Sequence, residues 1–222
     1  MQDLIEIETG APVSAVVIWL HGLGADGNDF VPVIPALPLP EIGIRFLFPH
    51  APVRAVTING GMAMRAWYDI LAMGAERHIN EDHLLDAADQ IEQLLQREVA
   101  RGIARQRIFL VGFSQGGAVA YHCGLRGAGP LGGVALLSTY RVNPMRFPCV
   151  AGNRATPLFC AHGEFDDVVP LPLGQQGVHS VTAEGMLPEW QRYPMGHEVC
   201  QAEIEALGDW LTRHLTRAIP VP

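Results

Sequence analysis

The chain has no lysine, for all fifteen basic residues are arginine. That removes whole mechanisms: no Schiff base, no Ser-Lys dyad, no P-loop lysine on a phosphate. Serine is scarce too, with four among 222 residues. The cysteines, Cys123, Cys149, Cys160 and Cys200, show neither C-x-x-C nor metal-ligand spacing. They read as free thiols in a reducing cytoplasm, with Cys123 and Cys160 packed as small hydrophobes. The opening "MQDLIEIETG" is acidic where a signal peptide would be basic, and the next apolar run, Ala15–Leu20, is far too short to span a bilayer. Positive charge is not in excess either. A net charge of −8 argues against nucleic acid or an anionic membrane surface as partner, since both attract basic patches.

What the chain does have is apolar residue content of 49%, which excludes wholesale disorder. Its length suits one domain over residues 1–222 with a sizeable core. Strand-like runs recur at Ser14–Gly22, Ile44–His50, Arg107–Phe113, Gly133–Thr139, Pro157–Gly163 and Glu189–Met195. Several are continuously apolar, as strands buried on both faces must be. Helical periodicity lies between them. Leu84, Ala88, Ile91, Leu95 and Val99 share a face of Glu81–Arg101, which Asn80 can cap and Gly102 can end. Ile204, Leu207, Leu211 and Leu215 share a face of Glu198–Arg217. Strand–helix alternation predicts an α/β fold with a mostly parallel central sheet and helices on both faces. Ala51–Asn80 has no clear period and is expected to be a long functional loop.

Within "RIFLVGFSQGGAVAYHC", Ser114 stands between a strand and a helix, with Gly112 and Gly116 two residues to either side. This G-x-S-x-G pattern predicts a strained turn that exposes the serine hydroxyl, where larger side chains at the glycine positions would collide. Gln115 opens the helix, so its backbone N–H points towards negative charge forming at Ser114. A nucleophilic serine needs a base, and the base an orienting acid. Of the histidines downstream, His122, His179 and His214 fall in helical patterns, and His162 stands upstream of the acids, where it would brace a turn. His197 follows the last strand and precedes the last helix, the place for a base. For the acid, "HGEFDDVVP" offers Glu164, Asp166 and Asp167, and spacing leaves all three open.

"HGLGADGNDF" contains G-x-G-x-x-G at Gly22, Gly24 and Gly27, formally a dinucleotide fingerprint. That fingerprint expects an acid about 20 residues on, at the end of the second strand. Here the strand ends "RFLFPH", so a nucleotide-binding oxidoreductase is disfavoured. The glycines instead suit a loop that turns a second N–H towards the serine.

"WLHGLGADGNDF", "FPHAP", "NGGMAMRAWYD", "LVGFSQGGAVA", "LSTY", "HGEFDDVVP" and "YPMGHEV" together resemble the phospholipase/carboxylesterase family of α/β-hydrolases, over nearly the whole chain and in the same order. The match is nearest to bacterial carboxylesterases and extends to acyl-protein thioesterases. Arg141–Ala155 matches no pattern of the family. The resemblance implies Ser114 as nucleophile, Asp166 as orienting acid, His197 as base, and the N–H groups of Leu23 and Gln115 as oxyanion hole. It implies a serine esterase acting on a small ester or acyl substrate, with short-chain esters, lysophospholipids and acyl-thioesters all open. It implies no cofactor and no metal, with a homodimer left open. The opposing reading is a catalytically silent hydrolase fold used for binding. Met62, Met64, Trp67, Tyr68, Leu71 and Met73 supply the apolar surface expected of an acyl groove, with Met64, Trp67 and Leu71 its candidate substrate contacts.

Overall fold

A computed structural model describes residues 3–74 and 77–216. In chain order these form β1 (Leu4–Glu8), β2 (Val13–Leu20), β3 (Gly43–Pro49), β4 (Val53–Val56), β5 (Met62–Arg65), β6 (Ile70–Ala72) and β7 (His78–Ile79). Then follow α1 (Glu81–Ala100), β8 (Ile108–Phe113), α2 (Gln115–Arg126), β9 (Gly133–Leu137), β10 (Leu158–Gly163), α3 (Leu171–Ala183), β11 (Glu189–Tyr193) and α4 (Gln201–Leu215). Seven strands make one sheet in the order β1-β3-β2-β8-β9-β10-β11. Its six other strands run parallel, and β1 lies antiparallel on β3. This is the α/β-hydrolase fold.

Alternation along β2 shows how the sheet divides the core. Val16, Ile18 and Leu20 face a cluster that includes α1, α2 and α3. Ala15, Val17 and Trp19 face the other, which includes Trp210 and Leu211 of α4. Period two on a strand sends neighbours to opposite faces, and with both faces covered none of the six residues is exposed. Because all the parallel strands point one way, the loops after β2, β8, β10 and β11 emerge at one edge, where open α/β sheets put ligands.

The six expected strands form within about two residues of their predicted bounds, ordinary uncertainty for strand ends. Asn80 accepts the N–H of His83 at the start of α1, and Gly102 takes φ +94° beyond its end. Arg217, the last residue of the second predicted helix, lies outside the described residues. Two expectations need correction. Val99 is 43% exposed rather than on the packed face of α1. Glu98 takes the buried position instead and meets Arg45 of β3 at 2.6 Å. Ala51–Asn80 is not a structureless loop: β4 pairs with β5 and β6 with β7. The first hairpin turns through Gly60 and Gly61, at φ +66° and +78°, which side chains would resist. β1 was not expected, yet it covers what would be an exposed strand edge. Its Glu6 and Glu8 reach Arg45 at 3.0 and 2.9 Å.

Glu203, in the first turn of α4, is fully buried, and neither carboxyl oxygen has a hydrogen-bond partner among the described residues. Burial pushes its carboxyl up to about 8, so the folded chain holds a proton that the unfolded chain gives up near its ordinary pKa. Stability is undiminished below that ordinary value and declines as pH rises through the raised one. Glu203→Gln removes the slope. The melting temperature of the variant relative to wild type is expected to climb between about pH 5 and pH 8; a constant difference would show that Glu203 is not protonated in the fold.

Candidate active site

Ser114 links β8 to α2 with φ 53° and ψ −119°, a combination that an L-residue avoids. Its N–H donates to the Leu137 carbonyl at 2.9 Å, and its own carbonyl accepts from Thr139 Oγ1 at 2.6 Å. The flanking glycines make the turn sterically possible. A Cβ at Gly116 would stand 2.4 Å from the Leu20 carbonyl oxygen, and one at Gly112 would stand 2.5 Å from that of Gly116. Both obstacles are backbone, which cannot swing aside.

His197, on the loop after β11, places Nε2 2.9 Å from Ser114 Oγ and Nδ1 2.8 Å from Asp166 Oδ2. Asp166 lies on the turn after β10, where its other oxygen accepts from the N–H groups of Val168 and Val169 at 3.0 and 2.7 Å. Burial pushes this carboxyl up. The His197 hydrogen bond, the Val169 amide and the nearby imidazoles together outweigh that push, so its pKa is lowered. An ionised carboxylate only accepts, so the proton of neutral His197 sits on Nδ1. Nε2 is left to accept the serine proton. Of the other two candidate acids, Glu164 and Asp167 are both exposed. His162 is buried, and its Nε2 donates to the Val169 carbonyl at 2.8 Å, bracing the acid turn as expected. Burial lowers its pKa, and lowers that of His122 to about 4. His122 packs against Phe147, away from the serine.

The amides of Leu23 and Gln115 have no hydrogen-bond partner among the described residues. The side chains around them hold both segments. Gln115 Oε1 accepts the Trp67 N–H at 2.7 Å, and its Nε2 donates to the Tyr68 carbonyl at 2.8 Å. Trp67 Nε1 donates to the His21 carbonyl at 2.9 Å. His21 accepts the Ala51 N–H on Nε2 at 3.0 Å, so its Nδ1 carries the proton given to the Gly22 carbonyl at 2.7 Å. Burial lowers the pKa of His21 and favours this neutral form. The roles of the Gln115 and His21 side chains were not read from the sequence. Nothing in a motif distinguishes a side chain used for support from one used on substrate.

A cavity of about 330 Å³ opens onto Ser114 and His197, with Leu23, Phe30, Ile58, Ile70, Met73 and Phe113 among its apolar walls. Of the residues expected in the groove, Met73 lines this cavity, together with Ile58 and Ile70 of the same segment. Met64, Trp67 and Leu71 are not in the cavity wall. Trp67 is fully buried and spent on the hydrogen bonds above. Met64 turns its sulfur to Asn59 Nδ2 at 3.2 Å. Leu71 is 48% exposed, because on β6 it points opposite to its neighbour Ile70, which faces the cavity.

The sequence model of the phospholipase/carboxylesterase family matches residues 3–215. The chain belongs to that family. It is 35% identical over 218 residues to acyl-protein thioesterase 1 of Neurospora crassa, covering 92% of this chain and 88% of that protein. It is 34% identical over 212 residues to a probable carboxylesterase of Oryza sativa, covering 90% and 77%. The crystal structure of Arabidopsis thaliana SOBER1 superposes with a TM-score of 0.85 at 29% identity, covering 92% of this chain and all of that one, 100%.

The glycine cluster after β2 has steric reasons of its own. Gly24 takes φ +78°, and a Cβ at Gly27 would stand 2.5 Å from the Phe48 carbonyl oxygen. Among the described residues, no three His, Cys, Asp or Glu side chains converge on a metal-sized site, and no helix is long and apolar enough to cross a membrane. Gly116→Ala tests the turn that carries Ser114. The clash is expected to lower stability by about 1–3 kcal/mol or more, and activity on an activated ester should fall further than the unfolded fraction explains. An active variant of unchanged melting temperature would contradict the close approach at Leu20.

Proposed function

We propose that this family member hydrolyses carboxylic esters, thioesters included, through an acyl-enzyme on Ser114. The observation that carries the reading is the single imidazole of His197 within hydrogen-bond reach of both Ser114 and Asp166. As Ser114 Oγ attacks the acyl carbonyl carbon, His197 Nε2 takes its proton. The N–H groups of Leu23 and Gln115 hold the oxyanion of the tetrahedral intermediate. Collapse breaks the bond to the alcohol or thiol, which leaves with the proton from His197. Water then attacks the acyl-serine, giving its proton to His197, and the second collapse frees the acid and restores the Ser114 hydroxyl. The ionised Asp166 fixes the imidazole tautomer and favours the imidazolium that forms in each step.

The apolar cavity beside Ser114 supports an acyl chain as the recognised part. Oxygen and sulfur leaving groups present the same carbonyl, and a triad does not choose between them. An acyl-chain series of matched esters and thioesters reads the preference. The silent-fold reading predicts no turnover of any of them.

Ser114→Ala is expected to keep the fold and lower kcat for an activated ester by about 10⁴-fold or more. Activity within about tenfold of wild type would remove the serine from the mechanism. The adjacent aspartates give a sharper contrast. Asp166→Asn is expected to lose at least about 10³-fold in kcat, because the amide no longer fixes the imidazole tautomer. Asp167→Asn should stay within about tenfold, since its side chain touches none of the reacting groups. Reversed results on the two folded variants would place the orienting acid at Asp167.

A further inference from the structure

Arg77 lines the cavity at Ser114 and also a second cavity of about 330 Å³. The two spaces meet there and at Tyr140. Their chemistry differs. The first is walled mainly by apolar side chains, whereas the second carries His78, Glu81, Arg141, Asn143 and Gln176.

The other charges in the second cavity are already matched. Arg141 pairs with Glu184 at 3.0 Å, and Glu81 is held by Arg146 and by Asn143 Nδ2. Arg77 has no such match among the described residues. It makes one hydrogen bond, from Nη2 to the Val168 carbonyl, and no carboxylate of the described residues lies within 4.0 Å. A guanidinium has five N–H donors in a planar fork suited to two oxygens at once. One carbonyl leaves most of that fork unused, at a half-buried position open to both cavities. The first cavity also carries Asp29, on the loop after β2, but among the described residues the charge at the boundary between the two spaces comes from Arg77 alone. On a chain of net charge −8, an anionic substrate needs a local cation to offset the general repulsion.

We propose that Arg77 selects substrates whose ester carries an oxyanion, carboxylate or phosphate, remote from the scissile carbonyl. The apolar part lies in the first cavity and the anion enters the second beside the guanidinium. This rests on the reading of Ser114 as the nucleophile at the same site. The opposing account makes Arg77 a plain tie between the β6–β7 hairpin and the acid turn.

The test compares charged and neutral substrates of matched size in two pairs. In the first pair the charge is in the acyl group: the p-nitrophenyl monoester of glutaric acid against p-nitrophenyl valerate. In the second it is in the leaving group: a monoacylglycerol phosphate against the monoacylglycerol with the same acyl chain. In at least one pair, the charged-to-neutral ratio of kcat/KM is expected to fall about tenfold or more in Arg77→Gln, mostly through KM, while Arg77→Lys retains most of it. The pair that responds identifies the source of the anion. The wild-type ratio should also shrink as salt rises from about 0.02 to 0.5 M, a readout that needs no folded variant. Ratios insensitive to salt and to Arg77→Gln in both pairs would overturn the proposal and leave Arg77 a tie. If wild type hydrolysed none of the four esters, the nucleophile reading itself would fail, which is a separate outcome.

Discussion

Holding Ser114 at positive φ costs on the order of 1–3 kcal/mol, and the neighbouring backbone supplies what keeps it there. The amide is bonded to Leu137, the carbonyl to Thr139, and the next residue already belongs to α2. The strain has a geometric use. It turns the hydroxyl towards His197, and α2 opens at the very next residue, Gln115. Relaxing the turn would separate the Ser114 hydroxyl from His197 and the Gln115 amide from both. The close approaches at Gly112 and Gly116 follow from that requirement, since the helix must start almost on top of β2 and β8.

Around this turn the loops after four parallel strands are locked by polar side chains that bond to one another and to backbone. The Gln115 side chain fastens the elbow to Trp67 and Tyr68, Trp67 reaches His21, and His21 in turn holds Ala51 and the Gly22 carbonyl. Asp166 is shared among His197 and two backbone amides, with His162 behind it. Such buried networks are costly when half-satisfied and rigid when complete. Here they hold Ser114, His197 and Asp166 in fixed positions, the preorganisation that the proposed oxyanion stabilisation requires.

Much of this was legible in the sequence, and what was not has a physical cause. Strands buried on both faces announce themselves as apolar runs, so β2, β3, β8, β9 and β10 were plain. β1 was not, because Leu4–Glu8 owes its place to an antiparallel partner and to Arg45 rather than to its own composition. The small hairpins of 53–79 are too short to display a period. The serine, its glycines and the histidine were legible because a strained turn and a loop-borne base tolerate few alternatives. The acid was narrowed to three by chain order, and only the family pattern favoured Asp166. The cavity wall was the least legible. Whether Ile70 or Leu71 faces the cavity is a matter of pleat parity, and Trp67 reads as a contact residue although both its N–H groups are committed elsewhere.

The central claim is that Ser114 becomes acylated with the help of His197. A fluorophosphonate probe tests it most directly, because phosphonylation needs an activated serine but neither a known substrate nor turnover. Peptide mapping of the labelled protein should place the adduct on Ser114 alone, with labelling slowed severely in His197→Ala. Absence of an adduct on the folded wild-type protein, or an adduct on Ser14, Ser138 or Ser180 instead, would contradict the account.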